Sequence, residues 1–339
     1  MTGSGMRRGC PGHATTMRCA SLTSSRWLSL AVALVVGLIC AAPVGADRAP
    51  RREAGAQAVG PVAKHGPFAG RVATRGGRRL YLECRGSGRP LVILEAGSGN
   101  LGSIWTEHPV GRGRAVLPAV ARFTRVCAYD RPGTYEYPDT LSRSDPVAMP
   151  RTALDIVRDL RALLRAAGAP RPFVLAGHSF GGMVARLYAT IHPRAVAGLV
   201  SVDAQTEDYA AALKRLLPPD VYAAGDQPPP GLNYPEFEIL ALDPSAAQMR
   251  QAQADTPLRP MPFVVLSHSR TLPNPFGAPP GFPIEAMESA FQESQDMLAR
   301  LLPGTKHVIA TKSGHYIQID QPRLVTDAIR RVVRKVRRR

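Results

Sequence analysis

The stretch F-V-L-A-G-H-S-F-G-G, residues 173–182, decides the fold of this chain. Its first four residues form an apolar run, and a run this short is typical of a strand that is buried on both faces of a sheet. The G-x-S-x-G turn at 177–181 follows, and the apolar stretch 183–191 predicts a helix. A strand, this turn and a helix together form a nucleophile elbow, which lifts a serine hydroxyl clear of the sheet. Ser179 is therefore the candidate nucleophile; the alternative is a glycine-rich turn whose serine only caps the helix.

The two glycines that flank the turn have a physical role in this interpretation. Side chains at Gly177 and Gly181 would collide as the strand and the helix close around Ser179. We therefore expect both positions to be closely packed against backbone.

Strands and helices alternate along the rest of the chain. Further strands are predicted at 79–84, 91–94, 125–129, 198–203, 263–266 and 307–310. Helices are predicted at 152–167, 284–302 and 322–336, the first of them from apolar residues at a helical period. Strands separated by helices predict an α/β protein with a mostly parallel sheet in one domain.

The segment 205–260, called the lid below, interrupts this alternation. It is rich in proline and has helical patterns only near 209–217 and 246–254. An insertion of this kind belongs on the loop side of a sheet, where it would cover a site. Residues 47–66 have no periodicity and are rich in Ala, Gly, Pro and Arg, so they predict a disordered linker that precedes a domain at 67–339.

The N-terminal segment 1–46 has the pattern of a secretory signal peptide. Arg18 and Arg26 precede an apolar run at 27–42, and small residues occupy the −3 and −1 positions of a cleavage site after Ala46. This predicts a secreted or cell-envelope protein. An uncleaved membrane anchor is the alternative, because the apolar run approaches the length that spans a bilayer.

The formal net charge is +17, but basic residues are concentrated at the two ends of the chain. The basic C-terminal tail, 330–339, has seven Lys and Arg residues. It is predicted either to contact an anionic membrane or envelope surface or to be simply solvated. Because no zinc spacing, RNA-binding signature or basic–aromatic alternation accompanies the charge, no nucleic-acid partner is predicted.

Two cysteines remain after the predicted cleavage, Cys84 and Cys127, and both lie in predicted strands. In an exported protein such a pair predicts a disulfide. Two reduced core cysteines are the alternative.

The candidate general base is His315, in the loop after the last predicted strand. A serine hydroxyl needs an adjacent base at neutral pH, and the loops of a parallel sheet meet at one edge. The alternative is a loop histidine that caps the closing helix. His268, at the end of a predicted strand, is the rival base, and His178 is expected to point away from the site although it adjoins Ser179.

Five motifs occur in a fixed order between residues 76 and 336: L-E-A-G-S-G-N, Y-D-R-P-G, G-H-S-F-G-G, S-V-D-A and S-G-H-Y-I-Q-I-D-Q-P. In these motifs the chain resembles the α/β-hydrolase superfamily. The resemblance implies an eight-stranded, mostly parallel sheet with helices on both faces and a Ser–acid–His triad at its C-terminal edge. It also implies an oxyanion hole formed by the backbone N–H groups of Ser98 and Phe180. The alternative for A-G-S-G-N is a plain strand-to-helix turn.

The acid departs from the commonest pattern of this superfamily. Many members have it after the strand predicted here at 263–266, but no Asp or Glu occurs from 256 to 284. Asp203, at the end of the preceding strand, is therefore the predicted acid, a placement that some members use. Glu207 and Asp208 are nearby alternatives, and Asp203 could instead cap a lid helix.

These residues predict an exported serine hydrolase that cleaves a carboxylic ester through an acyl-enzyme, with Ser179 as nucleophile, His315 as base and Asp203 as its orienting acid. The apolar lid favours a small-molecule ester with an apolar acyl part. Acyl transfer, amide hydrolysis and cofactor-free peroxidation use the same triad and stay open, as does a non-catalytic envelope binding protein. Neither a cofactor nor a metal is predicted, because the turn is not G-x-G-x-x-G and no histidines have metal-site spacing.

Overall fold

The computed structural model describes residues 57–58, 61–106, 113–136, 140–225, 227, 234, 236–269 and 281–339. The strands are β1 Gln57–Ala58, β2 Phe68–Ala73, β3 Arg79–Arg85, β4 Val92–Glu95, β5 Val126–Tyr129, β6 Tyr135–Glu136, β7 Thr140–Leu141, β8 Phe173–His178, β9 Val196–Val202, β10 Phe263–His268 and β11 Lys306–Ala310. The helices are α1 Val116–Val120, α2 Ala153–Ala166, α3 Phe180–Ile191, α4 Glu207–Leu216, α5 Pro219–Ala224, α6 Leu242–Asp255, α7 Ile284–Arg300, α8 Ile317–Asp320 and α9 Pro322–Arg337, with a 3-10 turn at Gly102–Trp105.

One large sheet has the strand order β1-β2-β3-β5-β4-β8-β9-β10-β11. The pairs β2–β3 and β3–β5 are antiparallel and every other pair is parallel. The predicted mostly parallel, eight-stranded sheet is confirmed. The two-residue strand β1 extends it at one edge. The hairpin partner β2 escaped prediction because its sequence, F-A-G-R-V-A, has too little apolar alternation to mark a strand without β3 beside it.

The core lies on both faces of this sheet. In β4, Ile93 packs into the cluster that includes α2 and α3, while its neighbour Val92 packs into the cluster that includes α1 and α9. Successive side chains of a strand point to opposite faces, so a strand covered on both sides is apolar throughout. This is why the central strands β4, β5 and β8 are buried at every position.

The lid is fastened to the helical layer by polar contacts. In α6, Ser245 Oγ accepts a hydrogen bond from Ala153 N at 2.9 Å, and Gln248 Oε1 accepts one from Leu154 N at 3.0 Å. The first amides of a helix have no acceptor within the helix, so these two side chains satisfy the start of α2. The lid therefore stabilises an element of the main domain.

The disordered-linker prediction is wrong at the C-terminal end of 47–66. Residues 57–58 form β1, and Ala63 is fully buried with its N–H bound to Ala167 O at 2.9 Å. The buried Arg125 side chain donates to the carbonyl groups of Val62 and Ala63, because a guanidinium without water requires such acceptors. The predicted signal peptide, 1–46, lies outside the described residues. Among the described helices, none combines the length and apolar character that a membrane span requires.

The basic C-terminal residues belong to α9, which is amphipathic. Val332 and Val333 are buried against the sheet, whereas Arg331 and Arg334 are exposed. The Arg337 guanidinium donates to the carbonyls of Arg89 and Phe123, at 2.7 and 2.8 Å. The segment up to residue 337 is therefore helix that packs on the domain, with its charges on the solvent side.

Cys84 and Cys127 lie directly opposite each other in the antiparallel pair β3–β5. Their Cα atoms are 4.1 Å apart and their sulfur atoms are bonded. The structure thus contains the predicted disulfide rather than two reduced cysteines.

Candidate active site

Ser179 lies between β8 and α3 with φ of +52°, in the left-handed region that non-glycine residues rarely adopt. A Cβ atom at Gly177 would lie 2.3 Å from Gly181 O, and one at Gly181 would lie 2.2 Å from Ala96 O. Only glycine fits at either position, as the sequence predicted. The turn is thus a strained strand-to-helix elbow with the serine at its tip.

Asp203 follows β9 with φ of +50° and is fully buried. Ser179 and Asp203 are the two non-glycine residues with positive φ in the described part of the chain. Aspartate tolerates this backbone better than most residues, and strained positions cluster at functional sites. The backbone therefore singles out the same two residues as the sequence did.

His315 contacts the Asp203 carboxylate directly, with 2.6 Å between His315 Nδ1 and Asp203 Oδ2. The loops after strands β9 and β11, which both pair with β10, bring these residues to one edge of the sheet. His315 Nε2 is buried and has no hydrogen-bond partner among the residues that the structure describes. It bonds neither Ser179 nor any other described group, so its lone pair or proton is available to a reactant.

The His178 side chain faces His315, and the expectation that it points away from the site is wrong. Its Nε2 lies 3.0 Å from His315 O, and the two ring centroids are 4.6 Å apart. Burial and the nearby imidazole of His315 lower the pKa of His178 to about 3. It is therefore a neutral donor that holds the His315 backbone.

His268, the rival base, contacts the same carboxylate from the other side. Its Nδ1 lies 2.7 Å from Asp203 Oδ2, its backbone N–H donates to Asp203 Oδ1 at 2.8 Å, and its Nε2 lies 2.7 Å from Glu288 Oε1. Burial opposes a charged imidazole here, but the hydrogen bonds to Asp203 and Glu288 outweigh it and raise the pKa of His268 to about 10. With both ring nitrogens occupied, His268 has no free lone pair to act as a base.

The Asp203 carboxylate is ionised in this setting. Burial acts to raise its pKa, but the hydrogen bonds from His268 and His315 prevail and lower it to about 2. The ligand atoms of Asp203, His268 and His315 lie within 4.8 Å of one another, close enough to bind a metal ion. Both imidazoles direct Nδ1 at Asp203 Oδ2, and Glu288 contacts the remaining ring nitrogen of His268. Hydrogen bonds to the two carboxylates therefore explain why these side chains lie so close together.

The alternative acids are engaged elsewhere or exposed. Glu207 is buried and forms an ion pair with Arg186 of α3. Asp208 is exposed on α4. No described contact joins either carboxylate to His315, which leaves Asp203 as the carboxylate that contacts it.

The proposed oxyanion donors lie on two elements that meet at the elbow. Phe180 is the first residue of α3, so its N–H has no acceptor within the helix. The N–H of Ser98 makes no hydrogen bond to another described residue. Both amides are therefore available as donors.

The loop that contains Ser98 is held by Arg131. This buried guanidinium donates to the carbonyls of Ala96 and Gly97, at 2.7 and 2.6 Å, and to the carboxylates of Glu95 and Glu238. Glu238 in turn accepts a hydrogen bond from Gly99 N at 2.8 Å. Peptide groups on both sides of Ser98 are thus fixed by a charged cluster to which the lid contributes Glu238.

Sequence reasoning missed two residues of this region, Glu238 and Glu288. Glu238 lies in a stretch of the lid with no regular pattern, and Glu288 belongs to a helix with several acids that resembles a solvated face. No local signal distinguishes either one, because their partners are distant in sequence: Arg131 for Glu238, and His268 for Glu288.

Comparison with known proteins finds relatives in sequence and in structure. A protein named "Probable transporter efuK", from Hormonema carpetanum, is 28% identical to this chain over 308 residues. The match covers 76% of this chain but only 42% of that protein, so this chain spans less than half of the relative's length. Among solved structures, Cfl2 from Burkholderia cenocepacia has a TM-score of 0.54 at 20% identity and covers 79% of this chain and 96% of its own. Carboxylesterase CesB from Bacillus subtilis has a TM-score of 0.50 at 17% identity and covers 80% of this chain and 93% of its own.

At these identities the structural matches show the fold alone. The sequence profile of the alpha/beta hydrolase family, however, matches residues 91–328, which is more than half of the chain and includes the elbow, Asp203 and His315. The protein is therefore a member of the α/β-hydrolase family.

Proposed function

We propose that this protein is a serine hydrolase that cleaves the carboxylic ester of a small molecule through an acyl-enzyme. The observation that supports this most is the 2.6 Å contact between His315 Nδ1 and the ionised Asp203 carboxylate, with His315 Nε2 left unoccupied at the sheet edge that presents Ser179. A serine hydroxyl becomes nucleophilic when such an imidazole accepts its proton.

In this mechanism Ser179 Oγ attacks the ester carbonyl while its proton moves to His315 Nε2. Asp203 accepts the Nδ1–H hydrogen bond, which fixes the tautomer and stabilises the imidazolium. The N–H groups of Ser98 and Phe180 donate to the oxyanion, a type of contact whose loss costs roughly 3 kcal/mol of barrier elsewhere. His315 then protonates the leaving alcohol, and a water repeats the sequence to release the acid and the free serine.

The surroundings of His315 support a substrate with an apolar acyl part. The Phe291 ring lies 6.5 Å from the His315 ring and 5.0 Å from Tyr209 on α4. Leu213 and Met287 form part of a small apolar cluster nearby in the same pair of helices. Aromatic and aliphatic groups at this position favour an apolar acyl part.

We also propose that the protein acts outside the cytoplasm. The disulfide between Cys84 and Cys127 supports this, because such bonds persist mainly in oxidising compartments. The exposed basic face of α9 supports contact with an anionic membrane or envelope surface.

The test is labelling of the purified full-length chain by a fluorophosphonate probe, which bonds covalently to an activated serine. We expect the wild type to label and both Ser179→Ala and His315→Ala to lose labelling, while Ser289→Ala, which removes an exposed hydroxyl of α7, keeps it. A series of esters of increasing acyl length, with release of free acid as the readout, then separates hydrolysis from acyl transfer. A folded wild type that fails to label would contradict the proposal and favour a binding role.

A further inference from the structure

We propose that His268 and Glu288 form a positioning pair that sets the proton affinity of His315 through the shared Asp203 carboxylate. The inference rests on the proposed function, because it concerns how the base of that reaction is tuned. It assigns a role to two residues that do not touch the reacting atoms.

The hydrogen-bond geometry requires a charged imidazole at His268. Nδ1 faces Asp203 Oδ2 at 2.7 Å and Nε2 faces Glu288 Oε1 at 2.7 Å. Ionised carboxylates only accept, so both ring nitrogens must donate, and only the imidazolium has two N–H groups. The pKa of about 10 for His268 agrees with this assignment.

The pair is held in place by its surroundings. The Phe291 ring stacks on the His268 ring with 5.0 Å between centroids. Gln292 Nε2 donates to His268 O and to Glu288 Oε1, both at 3.0 Å, which fixes the Glu288 carboxylate. The His268 side chain is 5% exposed and that of Glu288 is 21% exposed, so solvent screens their charges only in part.

The charges of the cluster alternate and partly cancel. The Asp203 anion attracts positive charge at the adjacent His315 ring. The His268 cation lies at the same carboxylate oxygen and opposes this effect, and the Glu288 anion behind it restores part of it. Apart from His315, the cluster has two anions, Asp203 and Glu288, and one cation, His268. Loss of the His268 cation makes the charge near His315 more negative, and loss of the Glu288 anion makes it less negative.

Other titratable groups lie around the pair. They are His178 of β8, Tyr209 of α4, His307 of β11, Asp296 of α7 and Tyr316 beside His315. Burial lowers the pKa of His178 to about 3 and raises that of Tyr209, so neither gains charge near neutral pH. Burial also lowers the pKa of His307, although Asp296 opposes the shift.

The test is the pH profile of kcat/KM for ester hydrolysis by the full-length protein. In His268→Gln the cation is lost and two anions remain, so we expect the acidic limb of the profile to move up by about one pH unit. In Glu288→Gln an anion is lost, so we expect the acidic limb to move to lower pH. Glu293→Gln, the same change at an exposed position of the same helix, leaves the limb in place.

Opposite shifts in the two variants support the proposal, and a purely structural role would not produce them. Two active variants with an unmoved limb, or with limbs that move in the same direction, overturn it. If His268→Gln does not fold, the limb of Glu288→Gln decides alone: a downward shift supports the proposal and an unmoved limb overturns it. A wild type that neither labels with fluorophosphonate nor hydrolyses esters refutes the proposed function instead, so the two failures are distinguishable.

Discussion

Two buried clusters flank the elbow, and each places a cation between two carboxylates. In the cluster at the Ser98 loop, Arg131 lies between Glu95 and Glu238. In the acid cluster, His268 lies between Asp203 and Glu288. One carboxylate in each cluster adjoins the site and the other is supplied by an element far away in sequence.

The clusters differ in their cation, because the charge of Arg131 is permanent whereas that of His268 can titrate. All five N–H groups of Arg131 donate, and its side chain is 1% exposed. Burial opposes its charge, but Glu238 and Glu95 outweigh this and raise the pKa of Arg131 beyond any working pH. His268 has two donors and titrates within reach of experiment. The same charge pattern thus fixes a loop permanently in one case and places an adjustable charge beside His315 in the other.

The largest expected effect is loss of the permanent charge of Arg131. Arg131→Met leaves Glu95 and Glu238 buried without a cation, and breaking a buried pair from one side typically costs about 3–5 kcal/mol of unfolding free energy. Chemical denaturation at neutral pH measures this loss. Arg158→Met is the matched control, because its ion pair with Asp155 is exposed and is expected to contribute under about 1 kcal/mol. Equal losses in the two variants would contradict this expectation.

A smaller effect is expected on catalysis when the contact of Glu238 with the Ser98 loop is weakened without loss of Arg131. Glu238→Gln keeps the side-chain shape but weakens the hold on Arg131 and on Gly99 N, so the amide of Ser98 is less well oriented. We expect kcat to fall by about 100-fold with KM nearly unchanged, as for contacts made in the transition state. Asp243→Asn, which alters an exposed ion pair of the same lid with Lys214, is the control. A rise in KM alone would place Glu238 in substrate binding instead.

A further expected effect is the pH dependence of stability that the adjustable cluster contributes. Because the folded-state pKa of His268, about 10, is above its ordinary value, its contribution is complete below about pH 6.5 and is lost as pH rises towards 10. Asp203 has a lowered pKa of about 2, so its contribution is present above about pH 4 and is lost below that value. Unfolding free energies between pH 6.5 and 10 should therefore decline in the wild type and vary less in His268→Gln. Parallel curves would show that His268 is not charged in the folded protein.

Local pattern was sufficient for most of the fold. The apolar run and the turn at 173–182 predicted a strand, an elbow and a helix, and the structure packs Gly177 and Gly181 closely against backbone. The linker prediction failed at its C-terminal end because composition cannot show that Arg125 would require the carbonyl groups of Val62 and Ala63.

The sequence by itself determined the α/β class, the serine at the elbow and the candidates Asp203 and His315, because these depend on short motifs and on chain order. Only the tertiary structure decided that His268 shares the carboxylate of Asp203 rather than acting as a base, and that Glu238 and Glu288 complete two charged clusters. The physical reason is that a buried charge needs a partner in space, and a partner 20 or 107 positions away leaves no mark on the local pattern.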